Sequence, residues 1–162
     1  MKYFPLVLMG LMACGPVSPD PPGKEDADED IGSMTIGHAF GESFRPLEDG
    51  AELPLVAGIQ GGYHVEVALS VEDMPARIDV HRETRRFEDG ALVARTWFRS
   101  NVKPDGRLDF EVPVFLCPAP VGLSIADETL EVIYRVEEIE SRVAFVPRCP
   151  EGDMFCDESC RR

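Results

Sequence analysis

Four cysteines gather in the last third of the chain: Cys117, Cys149, Cys156 and Cys160. Thiols in that number either pair as disulfides or bind a metal as thiolates. Structural zinc sites favour C-x2-C or C-x4-C arms. Here six residues separate Cys149 from Cys156, three separate Cys156 from Cys160, and Cys117 is distant. That is a poor match to zinc, so no metal is assigned. Three histidines, His38, His64 and His81, are the other candidates for chemistry. His64 and His81 with nearby acids would suit a small hydrolase or a metal-dependent enzyme. "GIQGGYHVEVAL" adds Gln60 beside His64 as a possible binding pair.

The motifs that would organise catalysis are missing from the sequence. There is no G-x-S-x-G, no H-E-x-x-H and no phosphate loop with its lysine. The acids are many but unpaired in any readable way, so a glycosidase reading rests on abundance alone. No catalytic residue and no cofactor is assigned. "RETRRF", Arg82 to Phe87, is the one basic cluster; it reads as a solvated strand end rather than an anion site. Asp26, Asp28 and Asp30 alternate as in a calcium loop. However, Ile31 stands where that loop needs Gly, and Gly37 where it needs Glu, so the segment reads as spacer.

The elements that must position these residues follow a period of two. Tyr63, Val65, Val67, Leu69 and Val71 alternate with His64, Glu66, Ala68, Ser70 and Glu72, which places His64 on a polar face. Leu108 to Leu116 and Leu130 to Val136 alternate in the same way, and further strands are expected near 52–57, 76–87, 91–101 and 141–147. Asp-Gly turns in "LEDGAEL", "FEDGAL" and "KPDGRL" punctuate them. Residues 76–116 therefore read as a three-stranded antiparallel meander. Pro113 marks an edge or a bulge, and Trp97 is expected in the core or at its rim. The glycines before Tyr63 lead into a strand and not a helix, so a dinucleotide loop is excluded. The expected fold is all-β: an Ig-like antiparallel β-sandwich of about seven or eight strands. It lacks the Cys…Trp…Cys pattern of true immunoglobulin domains.

The N-terminus carries an address. Lys2 precedes an apolar run from Tyr3 to Ala13, then Cys14. A basic start and a short apolar stretch form an export signal; the run is too short to span a bilayer, which takes about 20 residues. Leu11-Met12-Ala13-Cys14 resembles a bacterial lipobox, with Met12 the looser match. That resemblance implies cleavage before Cys14, lipidation of its thiol and anchorage in the cell envelope, with Gly15 favouring the outer membrane. Several acyl chains make such an anchor stable, because each buried methylene contributes about 0.8 kcal/mol.

Export also decides between the two cysteine chemistries, since an oxidising compartment favours disulfides. Cys117–Cys149 is the favoured pair; it would close a loop of about 33 residues and contribute roughly 3 to 4 kcal/mol. Cys156–Cys160 would then form a small ring in the tail. Pairing of Cys149 with Cys156 or Cys160, with Cys117 joined elsewhere, stays open.

From Gly15 to Ile36 prolines and acids dominate, so the segment is expected to be a disordered, self-repelling spacer. The organisation is a signal peptide (1–13), a lipidated cysteine with acidic Pro-rich spacer (14–36), a β-sandwich (37–148) and a cysteine-containing tail (149–162). The chain has 44% hydrophobic residues, sufficient for a core, and a formal net charge of -14, which opposes nucleic-acid binding. The lipobox, the spacer, "GIQGGYHVEVAL" and the "VPRCP…C…C" tail together resemble uncharacterised exported lipoproteins of myxobacterial type. That group carries no established activity, so no catalytic role passes to Gln60 or His64. The expected function is a lipid-anchored, non-catalytic binding or envelope-accessory module, with an envelope protein or glycan as partner. The hydrolase reading built on His64 and His81 is the alternative.

Overall fold

The computed structural model describes residues 32–40, 43–59, 61–108 and 112–161. Cys14, the signal segment, the acidic run and Gln60 lie outside those residues. Eleven strands are present among the described residues: β1 (Ser33–Phe40), β2 (Ser43–Pro46), β3 (Ala51–Pro54), β4 (Val56–Ala57), β5 (Tyr63–Val65), β6 (Ala68–Glu72), β7 (Arg77–Arg86), β8 (Leu92–Asn101), β9 (Val114–Cys117), β10 (Leu130–Val136) and β11 (Ile139–Arg148). One helix, α1 (Met154–Cys160), follows.

The strands form a five-stranded sheet, β3-β11-β10-β7-β8, and two three-stranded sheets, β2-β1-β6 and β4-β5-β9. The fold is all-β and sandwich-like, as the alternation predicts. The strand count exceeds seven or eight because two expected strands are broken and two more, β1 and β2, precede the first expected one. Residues 52–57 divide at the buried Leu55 into β3 and β4, and 63–72 divide at Glu66–Val67 into β5 and β6. The second break lets one stretch of chain serve both small sheets. Pairing is antiparallel except at one edge, where β3 runs parallel to β11.

Two further expectations change. β1 begins at Ser33 and pairs with Glu72 of β6, four residues ahead of the expected domain border at 37. Ile36 is buried and Met34 packs partly on the core, so their alternation overrides the acidic run before them. The meander also stops after two strands. β7 and β8 pair along their length, and Val102 bridges Leu108, but β9 leaves to pair with β5. Pro113, just before β9, has no N–H to offer a ladder.

That departure is fixed from inside by Arg82. Its side chain points inward from β7 with Ile78, Val80 and Thr84, and it is buried. The guanidinium donates to the Val112 carbonyl and, at 2.9 Å, to the Pro113 carbonyl. It also lies 5.8 and 5.9 Å from the Tyr134 and Phe98 ring centres. The expected solvated strand end is therefore a buried tie. Cations survive burial when their donors are matched this way.

Around this tie, Leu53, Val65, Val80, Val114, Leu130 and Phe145 are almost fully excluded from solvent. Burial of each such side chain is favourable by about 1.5–3 kcal/mol.

Candidate functional site

Among the described residues, polar or reactive side chains gather at the cysteine-stapled tail, at the glycine-led strand β5 and on the outward face of the five-stranded sheet.

The tail contains the short helix α1, where the sequence shows no helical stripe. Asp153 caps it, accepting hydrogen bonds from the Phe155 and Cys156 N–H groups. Tyr63 at the head of β5 donates its hydroxyl to the same carboxylate at 3.0 Å. Burial, then the bond to Asp153, raises the Tyr63 pKa. Cys156 and Cys160 lie four apart, so they share one buried face of α1. They do not pair with each other. The disulfides are Cys117–Cys160, from β9 to the end of α1, and Cys149–Cys156, from the end of β11 to the first turn of α1. This corrects the favoured Cys117–Cys149 and Cys156–Cys160 pairing. The physical reason is the helix, which carries Cys160 under β9 and leaves Cys156 over the exit of β11. All four sulfurs meet in one cluster, with Cys156 Sγ 3.9 Å from Cys160 Sγ.

Strand β5 buries His64, where a solvated position was expected. All three of its residues are buried, because β4 and β9 flank it while α1 anchors Tyr63. His64 is 8% exposed, its ring centre is 5.2 Å from that of Phe115, and its Nδ1 is buried without a hydrogen-bond partner. The polar-face expectation for His64 is corrected. The register shift between Tyr63 and His64 skips Leu116 of β9, and His64 lies on the same face as the half-exposed Phe115, whose ring packs against it. Gly62 is required by this close approach: it has φ +78°, and a Cβ there would lie 2.2 Å from the Cys117 carbonyl oxygen. His81 stands elsewhere, on the exposed side of β7 in the five-stranded sheet. The two histidines that the hydrolase reading needs together thus occupy different sheets, one buried and one exposed.

The exposed side of β7 and β8 is the most organised polar surface. Cross-strand pairs on this face run Asp79 with Arg99, His81 with Trp97, and Glu83 with Arg95. Trp97 is 55% exposed, which corrects its expected place in or beside the core. Its ring lies 6.3 Å from His81 and under the Arg99 guanidinium at 5.9 Å. Arg99 forks onto Asp79, with Nη2 to Oδ2 2.6 Å. The pair holds the Asp79 carboxyl below its usual range and raises Arg99. Beside it, Glu83 accepts from Arg85 and meets Arg95 at 2.7 Å and Arg135 at 3.7 Å. Arg135 continues to Glu140 at 2.6 Å, and Glu140 to Arg142. Glu83 and Glu140 are both held in the ionised form by these arginines. A hollow of about 450 Å³ opens at the β7 start, lined by Arg77, Ile78, Asp79, His81, Arg99 and Glu137.

Chemically, this face offers a half-exposed aromatic platform, a fixed lattice of carboxylates and guanidiniums, and a shallow polar hollow. Trp97 was visible in the sequence; its partners were not, because cross-strand register is needed to bring them beside it.

Fold and surface together define an all-β, sandwich-like protein with a disulfide-stapled C-terminal helix. No protein-family profile matches the chain, and no curated protein or solved structure matches it either. No helix among the described residues is long and apolar enough to cross a membrane.

Proposed function

We propose that this is a lipid-anchored extracytoplasmic protein whose β7–β8 face binds a glycan of the cell envelope. The observation that carries the binding half is the half-exposed Trp97 set between His81 and Arg99 beside the polar hollow. The negative face of an indole attracts the polarised C–H groups of a sugar ring. Carboxylate and guanidinium edges held by their neighbours match vicinal hydroxyls, which both donate and accept. A protein partner is the weaker fit, since protein hot spots centre on several desolvated apolar anchors, and this face has one aromatic ring within an ionic lattice.

The anchoring half rests on the export signal and Cys14, and two disulfides agree with an oxidising compartment. The mature N-terminal peptide should carry acyl mass on Cys14; an unmodified cysteine would end that half. For the binding half, the chain should be retained on isolated envelope polysaccharide. Trp97→Ala should lose about tenfold in affinity, or about 1.4 kcal/mol. Equal retention of the variant, or no retention of either protein, would overturn it.

A further inference from the structure

The four sulfurs of the tail lie close enough to do more than staple it. Cys156 and Cys160 are fully buried and Cys117 is nearly so, whereas Cys149 is partly exposed. The Sγ atoms of Cys149, Cys156 and Cys160 all lie within 4.8 Å of one another. Cys160 Sγ is bonded to Cys117 and stands 3.9 Å from Cys156 Sγ. A buried sulfur of one disulfide thus faces a buried sulfur of the other, and Cys149 is the one residue of the four that is partly exposed.

We propose that the tail is a thiol–disulfide exchange site for an external dithiol, entered at Cys149 and passing the opened bond inward to Cys117. An external thiolate attacks Cys149 Sγ, forming a mixed disulfide and expelling the Cys156 thiolate. Attack on Cys156 is blocked by its burial. The Cys156 thiolate then attacks Cys160 Sγ, forming a Cys156–Cys160 bond and expelling the Cys117 thiolate, which takes up a proton. The second thiol of the reagent resolves the mixed disulfide at Cys149 and leaves as its own disulfide. Two protein disulfides become one disulfide and two thiols, and one dithiol is oxidised. The product bond is feasible, because helical residues four apart have Cα atoms about 6 Å from each other, within the disulfide range.

The consequence is mechanical. The covalent link from β9 to α1 is lost, and the helix keeps a small internal ring. Its end is then held by hydrogen bonds from the Ile125 and Ala126 N–H groups to the Cys160 carbonyl, at 2.7 and 3.0 Å. A dithiol oxidoreductase sharing the compartment has the chemistry required of the partner.

The test is limited reduction of the oxidised full chain with substoichiometric dithiothreitol, an acid quench, alkylation and disulfide mapping by mass spectrometry. The first labelled pair should be Cys117 and Cys149, with a Cys156–Cys160 link in the same molecules. Labelling of Cys149 and Cys156 with Cys117–Cys160 intact would overturn the relay, as would any other first pair. In the Cys149→Ser, Cys156→Ser double variant the remaining Cys117–Cys160 bond should open at least about tenfold more slowly than Cys117 is freed in the wild type. An equal rate would mean that Cys117–Cys160 is reached directly.

Discussion

Arg82 shows how much one side chain can settle. It bonds two consecutive carbonyls of a segment that is otherwise between strands, and it sits between the rings of Phe98 and Tyr134. Arg82→Ala would leave the Val112 and Pro113 carbonyls without their donor. The expected loss is about 2–4 kcal/mol, read as a lower urea midpoint at unchanged slope. Arg82→Lys should fall between, since a point charge cannot fork to both carbonyls. In the sequence this arginine looks the same as Arg85 and Arg86. Arg85 faces outward to Glu83, and Arg86 pairs with Asp89 in the turn. The strand phase separates Arg82 from Arg85, while Arg86 shares its phase but stands at the end of β7 opposite Leu130, and "RETRRF" alone does not say which residue lies mid-strand facing inward. His64 is buried for a related reason: Phe115 of β9, far away in the sequence, stands opposite it and packs its ring against the imidazole.

Helix α1 is seven residues long, too short to be stable alone. It persists because the chain on every side holds it. Asp153 caps its start and accepts from Tyr63, and the two disulfides hold its buried face. Asp153→Ala should cost about 1 kcal/mol in a denaturant titration. The amides of Phe155 and Cys156 should exchange faster, while those of β10 stay protected. A variant in which tail and β10 lose protection together would show that the cap serves the whole sandwich. The sequence holds faint signs of this helix, an Asp before an apolar pair and two cysteines four apart. Neither outweighs the lack of a repeated helical stripe in so short a segment. The long strands β7, β8, β10 and β11 were legible because ten- and seven-residue runs with Asp-Gly or tight turns between them admit few other readings.

At the scale of the whole molecule, the described elements are tied by pairs far apart in the chain. Ser33 of β1 pairs with Glu72 of β6, and Tyr63, β9 and α1 are joined by the Cys117–Cys160 disulfide and the Tyr63–Asp153 bond. Across this body a net charge of -14 is held partly by arginine pairs. Their effect on stability has a definite direction. Asp89 is pushed down to about 2, first by its bond to Arg86 and then by the Ala91 N–H. Asp79, Asp105, Glu83 and Glu140 are lowered as well. A carboxyl depressed in the folded state stabilises it above the unfolded pKa of about 3.9, and loses that contribution as pH falls towards the folded value. The advantage of the wild type over Asp89→Asn, measured as the difference in thermal midpoints, should be full at pH 6. It should close between about pH 4 and pH 2. Because the Asp89 side chain is 46% exposed, the gap should also shrink with added salt. A gap that widens on acidification would contradict the pairing.

Period, turn residues and composition are local properties, and the all-β class, the Asp-Gly turns and the long strands could be read from them directly. The positive φ of Gly50, Gly90 and Gly106 bears out those three turns. Which cysteine meets which, which arginine turns inward, and which polar residues surround Trp97 depend on register between strands far apart in the chain. That register comes from packing two layers around one core. A break of two residues at Glu66–Val67 sends one stretch into two sheets, and a seven-residue helix moves Cys160 from its neighbour Cys156 to Cys117. Such outcomes turn on the free energy of the assembled whole, to which no single window of the sequence has access.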